Sequence, residues 1–305
     1  MEHSIHLPVT NKSFELYYFV GKENQSESYD WLKKHNESAE EFSRLESLFR
    51  LHSHDVMEIL VFLGGECEFF CEGKTYSLKK GDVVVVPPYA VHKAEVADIH
   101  NYDRIILNIS SHLLEDYMRS AQAMKEHIIY QKTQGSYVLN LHERNFQRMV
   151  DLLHDITQRI RQDEENHSFT LHYLLFQALQ IILNPESSIP IFNEKKELDA
   201  RLAAILDYIE SHLTDSNLSL DHVSNYFHLN KYYFSHYFKN NMNLPFYRYV
   251  SLKRLSNAVT LIKQNKLSLE NIALQCGFPD YSSFYRLFKK EYNLSPKQLQ
   301  QEHKN

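Results

Sequence analysis

Two stretches, NLSLDHVSNYFHLNKYYFSHYFKNNMNL (217–244) and KLSLENIALQCGFPDYSSFYRLFKKEYNL (266–294), are copies of one pattern. Leu218-Ser219-Leu220 matches Leu267-Ser268-Leu269, and Phe234, Phe238-Lys239 and Asn243-Leu244 match Phe284, Phe288-Lys289 and Asn293-Leu294. The offset grows from 49 to 50 at Pro279, inside a turn, where an inserted residue belongs. Each copy reads as helix, tight turn, helix. Ser219 and Ser268 are N-cap residues with Asp221 and Glu270 in the first turn behind them. The turns are 227–229 and 276–278, where Gly277 supplies the positive φ that a tight turn needs. Asn230 and Asp280 cap the second helix of each copy. In that helix the phenylalanines lie one turn apart and face inward. The other face is left with Lys231, Tyr232, Ser235, His236 and Lys239 in the first copy, and with Tyr281, Ser282, Tyr285, Arg286 and Lys289 in the second. Polar, aromatic and basic side chains on a protruding helix suit contact with a DNA groove and its phosphates.

Between the copies runs LPFYRYVSLKRLSNAVTLIKQ (244–264), with Leu252, Leu255, Val259 and Ile262 as its buried stripe. No proline or glycine interrupts it after Pro245, so one long helix sets the distance between the two units. Charge agrees with this division. The whole chain of 305 residues carries −6, but there are 13 basic against 9 acidic residues from Asp199 onward and 20 against 30 before it. Phosphate neutralisation needs a local basic surface, which an overall acidic chain can supply.

Outward from the repeat toward the N-terminus the texture changes. NPESSIPIFNEKKE (184–197), with two prolines, adjacent serines and a charge run, reads as a linker. Before it, Phe146, Met149, Leu153, Ile156 and Ile160 recur at helical spacing, followed by an apolar helical segment over 168–184. From Leu48 to about Ser110 the chain turns to short β-branched and aromatic runs, ILVFL, CEFFCEG, KTYSL, DVVVVPP and RIILNI, punctuated by Gly64-Gly65, Gly73, Gly81 and Pro87-Pro88. That pattern indicates a small barrel or jelly roll. KSFELYYFV (12–20) reads as a further strand, followed by a polar stretch of helical character. The expected architecture is α+β: a sensor barrel over 1–110, a helical dimerisation segment over 111–184, a linker over 185–197 and an all-helical double helix-turn-helix unit over 198–305.

No apolar run approaches the ~18–20 residues of a membrane span, and MEHSIHLPVT lacks the basic-then-apolar pattern of a secretory signal. Cys67, Cys71 and Cys276 are odd in number and show no disulfide-scaffold spacing, which indicates a reducing cytoplasm; Cys67 and Cys71 could bind a metal, but two thiols without nearby partners read as core or surface residues.

The C-terminal third resembles the AraC/XylS regulators, whose domain of about 100 residues holds two helix-turn-helix units on a long connecting helix. The resemblance rests on Arg254, Leu255 and Ala258, and on Ile272-Ala273, Gly277-Phe278, Asp280, Ser283-Phe284, Arg286, Phe288-Lys289-Lys290 and Pro296. Where the family commonly has arginine in the first recognition helix this chain has His236, and where it has glycine at the unit ends this chain has Asn243 and Asn293, which tolerate left-handed geometry.

The β-rich half carries His52, His54, Glu58 and Gly65, then Gly81, Pro87 and His92, which is similar to the two motifs of the cupin barrel. Tyr89 and Val96 stand where the second motif usually has glycine and asparagine. His52, His54 and Glu58 share parity and so point to one face of a regular strand. Two readings stay open. In the first, which the resemblance favours, His52, His54, Glu58 and His92 hydrogen-bond a small effector such as a sugar without a metal, with Tyr89 at the pocket mouth. In the second, His52, His54, Glu58 and His92 hold zinc, iron, nickel or manganese. Cupins include metal-dependent oxygenases and isomerases. The sequence shows no nucleophile motif or phosphate loop, so catalysis is not expected and no cofactor beyond that divalent metal is called for. The stripe Phe146, Met149, Leu153, Ile156 and Ile160 is expected to bury against 168–184, a second subunit or both, and the chain to form a homodimer through this region. The resemblance implies a ligand-responsive regulator of carbohydrate uptake or catabolism, with double-stranded DNA as partner and, for an activator, RNA polymerase.

Overall fold

A computed structural model describes residues 3–6, 14–19, 50–98, 101–120, 137–161, 168–183, 188–191 and 200–302. The polar stretch after the strand at 14–19 therefore lies outside the described residues, as does most of the expected linker.

The N-terminal half is organised by MEILVFLGG, strand β3 (Met57–Gly65), which is buried on both faces. One parity, Met57, Ile59, Val61 and Leu63, belongs to a core shared with helices; the other, Leu60 and Phe62, belongs to a second core inside the barrel. β3 can be apolar throughout because it lies in the middle of a large sheet covered on each side. That sheet also contains β1 (His3–His6), β2 (Phe14–Phe19), β6 (Asp82–Val86), β8 (Tyr102–Ile109), β9 (Val138–Leu141) and β10 (Ser188–Pro190), in the order β1-β2-β8-β3-β6-β9-β10. A smaller sheet, β5 (Lys74–Ser77), β4 (Cys67–Cys71) and β7 (His92–Val96), lies in the order β5-β4-β7. All described pairings are antiparallel. Phe69, Cys71, Tyr76 and Ala94 of the small sheet meet Leu60, Phe62, Val84, Val86, Tyr102 and Ile106 of the large one to fill the barrel. The outer face of the large sheet is covered by α1 (Ser111–Ser120), α2 (Glu143–Arg161) and α3 (Ser168–Leu183). Cys67, Cys71 and Cys276 are free and buried.

Two elements depart from the reading above. The segment 111–184 is not purely helical: Val138–Leu141 adds to the large sheet beside β6. Four residues are too few for alternation to stand out in sequence, and burial of Val138, Leu139 and Leu141 makes the strand. Within the expected linker, Ser188–Pro190 pairs with β9 at the sheet edge. An edge position is where a strand accepts proline, which has no N–H to offer a further neighbour.

The helical half contains α4 (Ala200–Ser211), α5 (Leu220–Tyr226), α6 (Lys231–Met242), α7 (Phe246–Gln264), α8 (Leu269–Gln275), α9 (Tyr281–Tyr292) and α10 (Pro296–Glu302). Its local signals hold residue by residue. The Ser219, Asn230, Ser268 and Asp280 side chains each accept from the backbone of the helix they open. Asn243 and Asn293 take φ of 57° and 56° where their helices end. Phe234, Phe238, Phe284 and Phe288 are fully buried. The core of the first unit draws Tyr249, Val250 and Leu252 from the first half of α7, and that of the second draws Leu255, Ala258, Val259 and Ile262 from the rest. The Arg254 guanidinium ties α7 to the connection between α4 and α5 by donating to the carbonyls of Leu213 (2.8 Å) and Asp215 (2.6 Å).

Gly277 carries two demands, a φ of +85° and a site where an added Cβ would stand 2.8 Å from the Leu213 carbonyl oxygen and 3.0 Å from Arg254 Nε. Gly277→Ala is expected to destabilise the helical half by about 1–3 kcal/mol. Chemical denaturation followed by circular dichroism measures it, and an unchanged midpoint would contradict this account of the turn.

Candidate ligand centre and nucleic-acid interface

His52, His54, Glu58 and His92 converge at one end of the barrel interior. One donor atom from each lies within 4.8 Å of the others. Glu58 shares the parity of Leu60 and Phe62 on β3, and His92 shares that of Ala94 on β7, so both point into the barrel. His52 and His54 come from the segment before β3, which is outside the named strands except for a bridge from His52 to His92. The His52 and His92 rings are 4.3 Å apart and those of His54 and His92 4.8 Å.

Each imidazole is held the same way. Nδ1 of His52 lies 2.7 Å from the Arg50 carbonyl, Nδ1 of His54 3.1 Å from that of Val56, and Nδ1 of His92 2.9 Å from that of Ala90. A carbonyl only accepts, so each Nδ1 is the donor and carries the proton. In the neutral ring Nε2 then presents a lone pair. Burial, reinforced by the neighbouring imidazoles His54 and His52 respectively, lowers the pKa of His52 and sends that of His92 well below the ordinary value, which keeps both rings neutral. Burial alone would raise the Glu58 carboxyl. A proton or a cation held between the imidazoles and the carboxylate would outweigh it: positive charge at His54, with that at His92 and His52, holds Glu58 below the usual carboxylate range.

The Nε2 atoms of His54 and His92 face the Glu58 oxygens at 3.3 and 3.9 Å, and His92 Nε2 is buried without a hydrogen-bond partner. Lone pairs facing a carboxylate in a buried site are satisfied by an additional proton or by a cation. Three imidazole nitrogens and one carboxylate are the donor set of borderline divalent metals, and the three Nδ1–carbonyl bonds are the support such ligands need. Ligand atoms on a zinc-sized ion stand at most about 4.2 Å apart, twice a bond of ~2.1 Å. In a tetrahedral shell the separation is about 3.4 Å, so a contraction of about 1.4 Å at the widest pair brings the four atoms onto one ion. The residues fit the group.

Tyr89, the fifth residue expected at this pocket, is not among the converging side chains. It takes φ of +67° at the position where the motif usually has glycine, and its hydroxyl lies 3.0 Å from Thr260 Oγ1 on α7. The polar contacts of the barrel with α7 were invisible in sequence. Glu72, Ser53, Tyr89 and Asp55 reach Tyr249, Lys253, Ser256, Thr260 and Lys263, which form a polar stripe at steps of three and four that reads as a solvent face.

On the helix-turn-helix units, Lys231, Tyr232, Ser235, His236 and Lys239 of α6 are exposed. On α9, Ser282, Arg286 and Lys289 are exposed, while Tyr281 and Tyr285 are partly buried with ring centroids 6.1 Å apart. Lys231 Nζ lies 2.7 Å from Asp221 of α5, a pair open to solvent on both sides. Among the described residues no helix is long and apolar enough to cross a membrane.

Comparison with known proteins agrees with this division. Residues 40–176 match the AraC-like ligand binding domain, and residues 223–302 match a helix-turn-helix domain. The HTH-type transcriptional activator RhaS of Enterobacter sp. (strain 638) is 25% identical over 259 residues, 84% of this chain and 89% of the relative. RhaS of Escherichia coli is 27% identical over 256 residues, 83% of this chain and 88% of the relative. Among solved structures, ToxT of Vibrio cholerae is similar over 96% of this chain and 100% of its own, with 14% identity and a TM-score of 0.39. The chain belongs to the AraC family of transcription regulators, with a cupin-like ligand-binding half and a DNA-binding half of two helix-turn-helix units.

Proposed function

We propose that this regulator reads DNA through α6 and α9 and senses its effector at His52, His54, Glu58 and His92, with a divalent cation as the part of the effector that these four residues hold. The convergence of four donor atoms, one of them the unpartnered Nε2 of His92, carries the cation reading. A bound cation would supply a Lewis-acidic position at which an anionic or hydroxylated small molecule completes the shell. Control of carbohydrate uptake or catabolism is what the resemblance to AraC/XylS regulators implies, and a sugar hydroxyl fits such an open position. Metal-free protein is expected to bind zinc at one ion per chain. His54→Ala and His92→Ala should each weaken binding by at least about tenfold, since even supporting groups around a metal ligand are worth that much. Calorimetric titration tests this, and absence of stoichiometric binding by zinc, nickel, manganese or ferrous iron would overturn the cation reading. A thermal-shift screen of sugars with and without zinc then tests the effector class.

For DNA, the exposed faces of α6 and α9 are proposed to enter successive major grooves, about 34 Å apart. α7, at 19 residues, is about 28 Å long, a suitable spacer. His236 is weaker than arginine as a phosphate contact, and Lys231 is shared with Asp221, so the second unit is proposed as the stronger reader. Arg286→Ala is expected to cost about 1–3 kcal/mol and to relax specificity at one base position. Lys239→Ala and Lys289→Ala should weaken all sequences alike and flatten the salt slope by about 1 each. Titrations at several salt concentrations separate these outcomes, and specific binding untouched by Arg286→Ala would refute the assigned face.

A homodimer is proposed through α3. The stripe Phe146, Met149, Leu153 and Ile156 of α2 is consumed within the chain, in the core against the large sheet. Phe169 and Tyr173, by contrast, are 84% and 55% exposed on α3, one turn apart. Phe169→Glu with Tyr173→Glu is expected to convert the dimer to monomer in light scattering at micromolar concentration. A wild-type monomer would exclude the dimer, and a dimeric variant would move the interface elsewhere.

A further inference from the structure

The barrel grips α7 along one line of polar groups. Tyr249 donates to Glu72 Oε2 at 2.6 Å and Lys253 to Glu72 Oε1 at 3.2 Å. Ser53 and Ser256 share a hydrogen bond at 2.8 Å, Tyr89 and Thr260 another at 3.0 Å, and Lys263 reaches both oxygens of Asp55 at 2.9 Å. Phe70 and Val91 of the barrel join the apolar core of the first helix-turn-helix unit between these contacts. Ser53 and Ser256 are buried, and Lys253 is 6% exposed.

The barrel side of this grip is interleaved with the ligand centre. Along 52–55 the chain alternates: His52 and His54 turn to the four-residue site, and Ser53 and Asp55 turn to α7. Across from them the Val91 N–H donates to Glu72 Oε1 at 2.7 Å, one residue before His92. The Tyr89 N–H donates to the His54 carbonyl at 2.8 Å, and Ser53 Oγ to the Tyr89 carbonyl at 3.1 Å. Residues 52–55 have little sheet pairing of their own, so their course is set by what holds them from each side.

We propose that occupation of the His52/His54/Glu58/His92 centre by a divalent cation and docking of α7 on the barrel strengthen each other, with residues 52–55 as the shared element. The inference rests on the cation reading given above. Ordering the segment from the ligand side lowers the cost of ordering it for Ser53 and Asp55, and the reverse holds to the same extent, because coupling between two binding events is reciprocal. Charge does not oppose it: Lys253 lies between Glu72 and Glu210, and Lys263 is paired with Asp55. Docking leaves Lys231, Tyr232, Ser235, His236, Lys239, Ser282, Arg286 and Lys289 exposed. The device therefore acts on the helix that spaces the two units rather than by covering the DNA face.

The test is calorimetric titration of the metal-free full chain with zinc, for wild type, Thr260→Val/Lys263→Met and Lys253→Met, with the exposed Tyr247→Ala as control. Circular dichroism identifies any variant that does not fold, and the two α7 variants serve as independent probes. Wild type should bind zinc, the folded α7 variants about tenfold more weakly, and the control like wild type. Equal zinc affinity in wild type and the α7 variants would overturn the coupling while leaving the cation centre standing. Failure of wild type to bind zinc would remove the centre and the coupling together.

Discussion

Helix α7 is buried along two stripes, and both halves of the molecule hang from it. Leu252, Leu255, Val259 and Ile262 lock it into the helix-turn-helix cores, while Tyr249, Lys253, Ser256, Thr260 and Lys263 lie against the barrel. A helix covered on one side keeps its polar face in water. Here the polar face is covered too, so each polar group on it must find a protein partner or leave a buried group unsatisfied. The partners are polar and directional, which fixes the register of barrel on helix in a way that an apolar surface of equal area would not.

The group at the centre of that contact is Glu72, at a positive φ of 44° and 9% exposed. One carboxylate accepts from Val91 N, Tyr249 Oη and Lys253 Nζ. Burial would lower the pKa of Lys253, but Glu72 and Glu210 outweigh it and raise it, so the lysine stays charged while docked. Burial and the Glu72 charge together push the Tyr249 phenol well above its ordinary value. Buried charge of this kind contributes little net stability, because desolvation offsets most of the attraction. Its effect lies in geometry: the barrel can sit on α7 in one place, where Glu72 is fully coordinated.

The helical half was legible in sequence because its determinants are local. Caps at Ser219, Asn230, Ser268 and Asp280 act within one turn, the left-handed ends at Asn243 and Asn293 need only one residue, and the phenylalanine pairs sit one turn apart. The four residues of the candidate ligand centre were legible as a spacing motif, and their side chains converge. What was not legible depends on residues far apart in the chain. β9 is a strand because β6 pairs with it, β10 because β9 does, and Tyr89 turns from the pocket because Thr260 lies 171 positions away to receive it. The polar stripe of α7 is the clearest case. Its composition matches a solvated face, and only the barrel packed on it distinguishes the two.

The ligand centre and the α7 contact differ in how they are built, and that difference bears on which of them yields. At the centre every imidazole is fixed through Nδ1 by a carbonyl within two residues, so ring orientation is set locally and survives small movements of the surrounding chain. The α7 contact has no such local support: its bonds link residues 171 to 208 positions apart, and each is lost when the barrel shifts. A rigid set of ligands attached to a long-range contact is the arrangement on which the proposed coupling rests, since ordering the shared segment from one side lowers the cost of ordering it from the other. The differential contacts lie in Ser53, Asp55, Glu72 and Tyr89. In the proposed coupling these four residues are the ones that link the histidine cluster to the spacer helix.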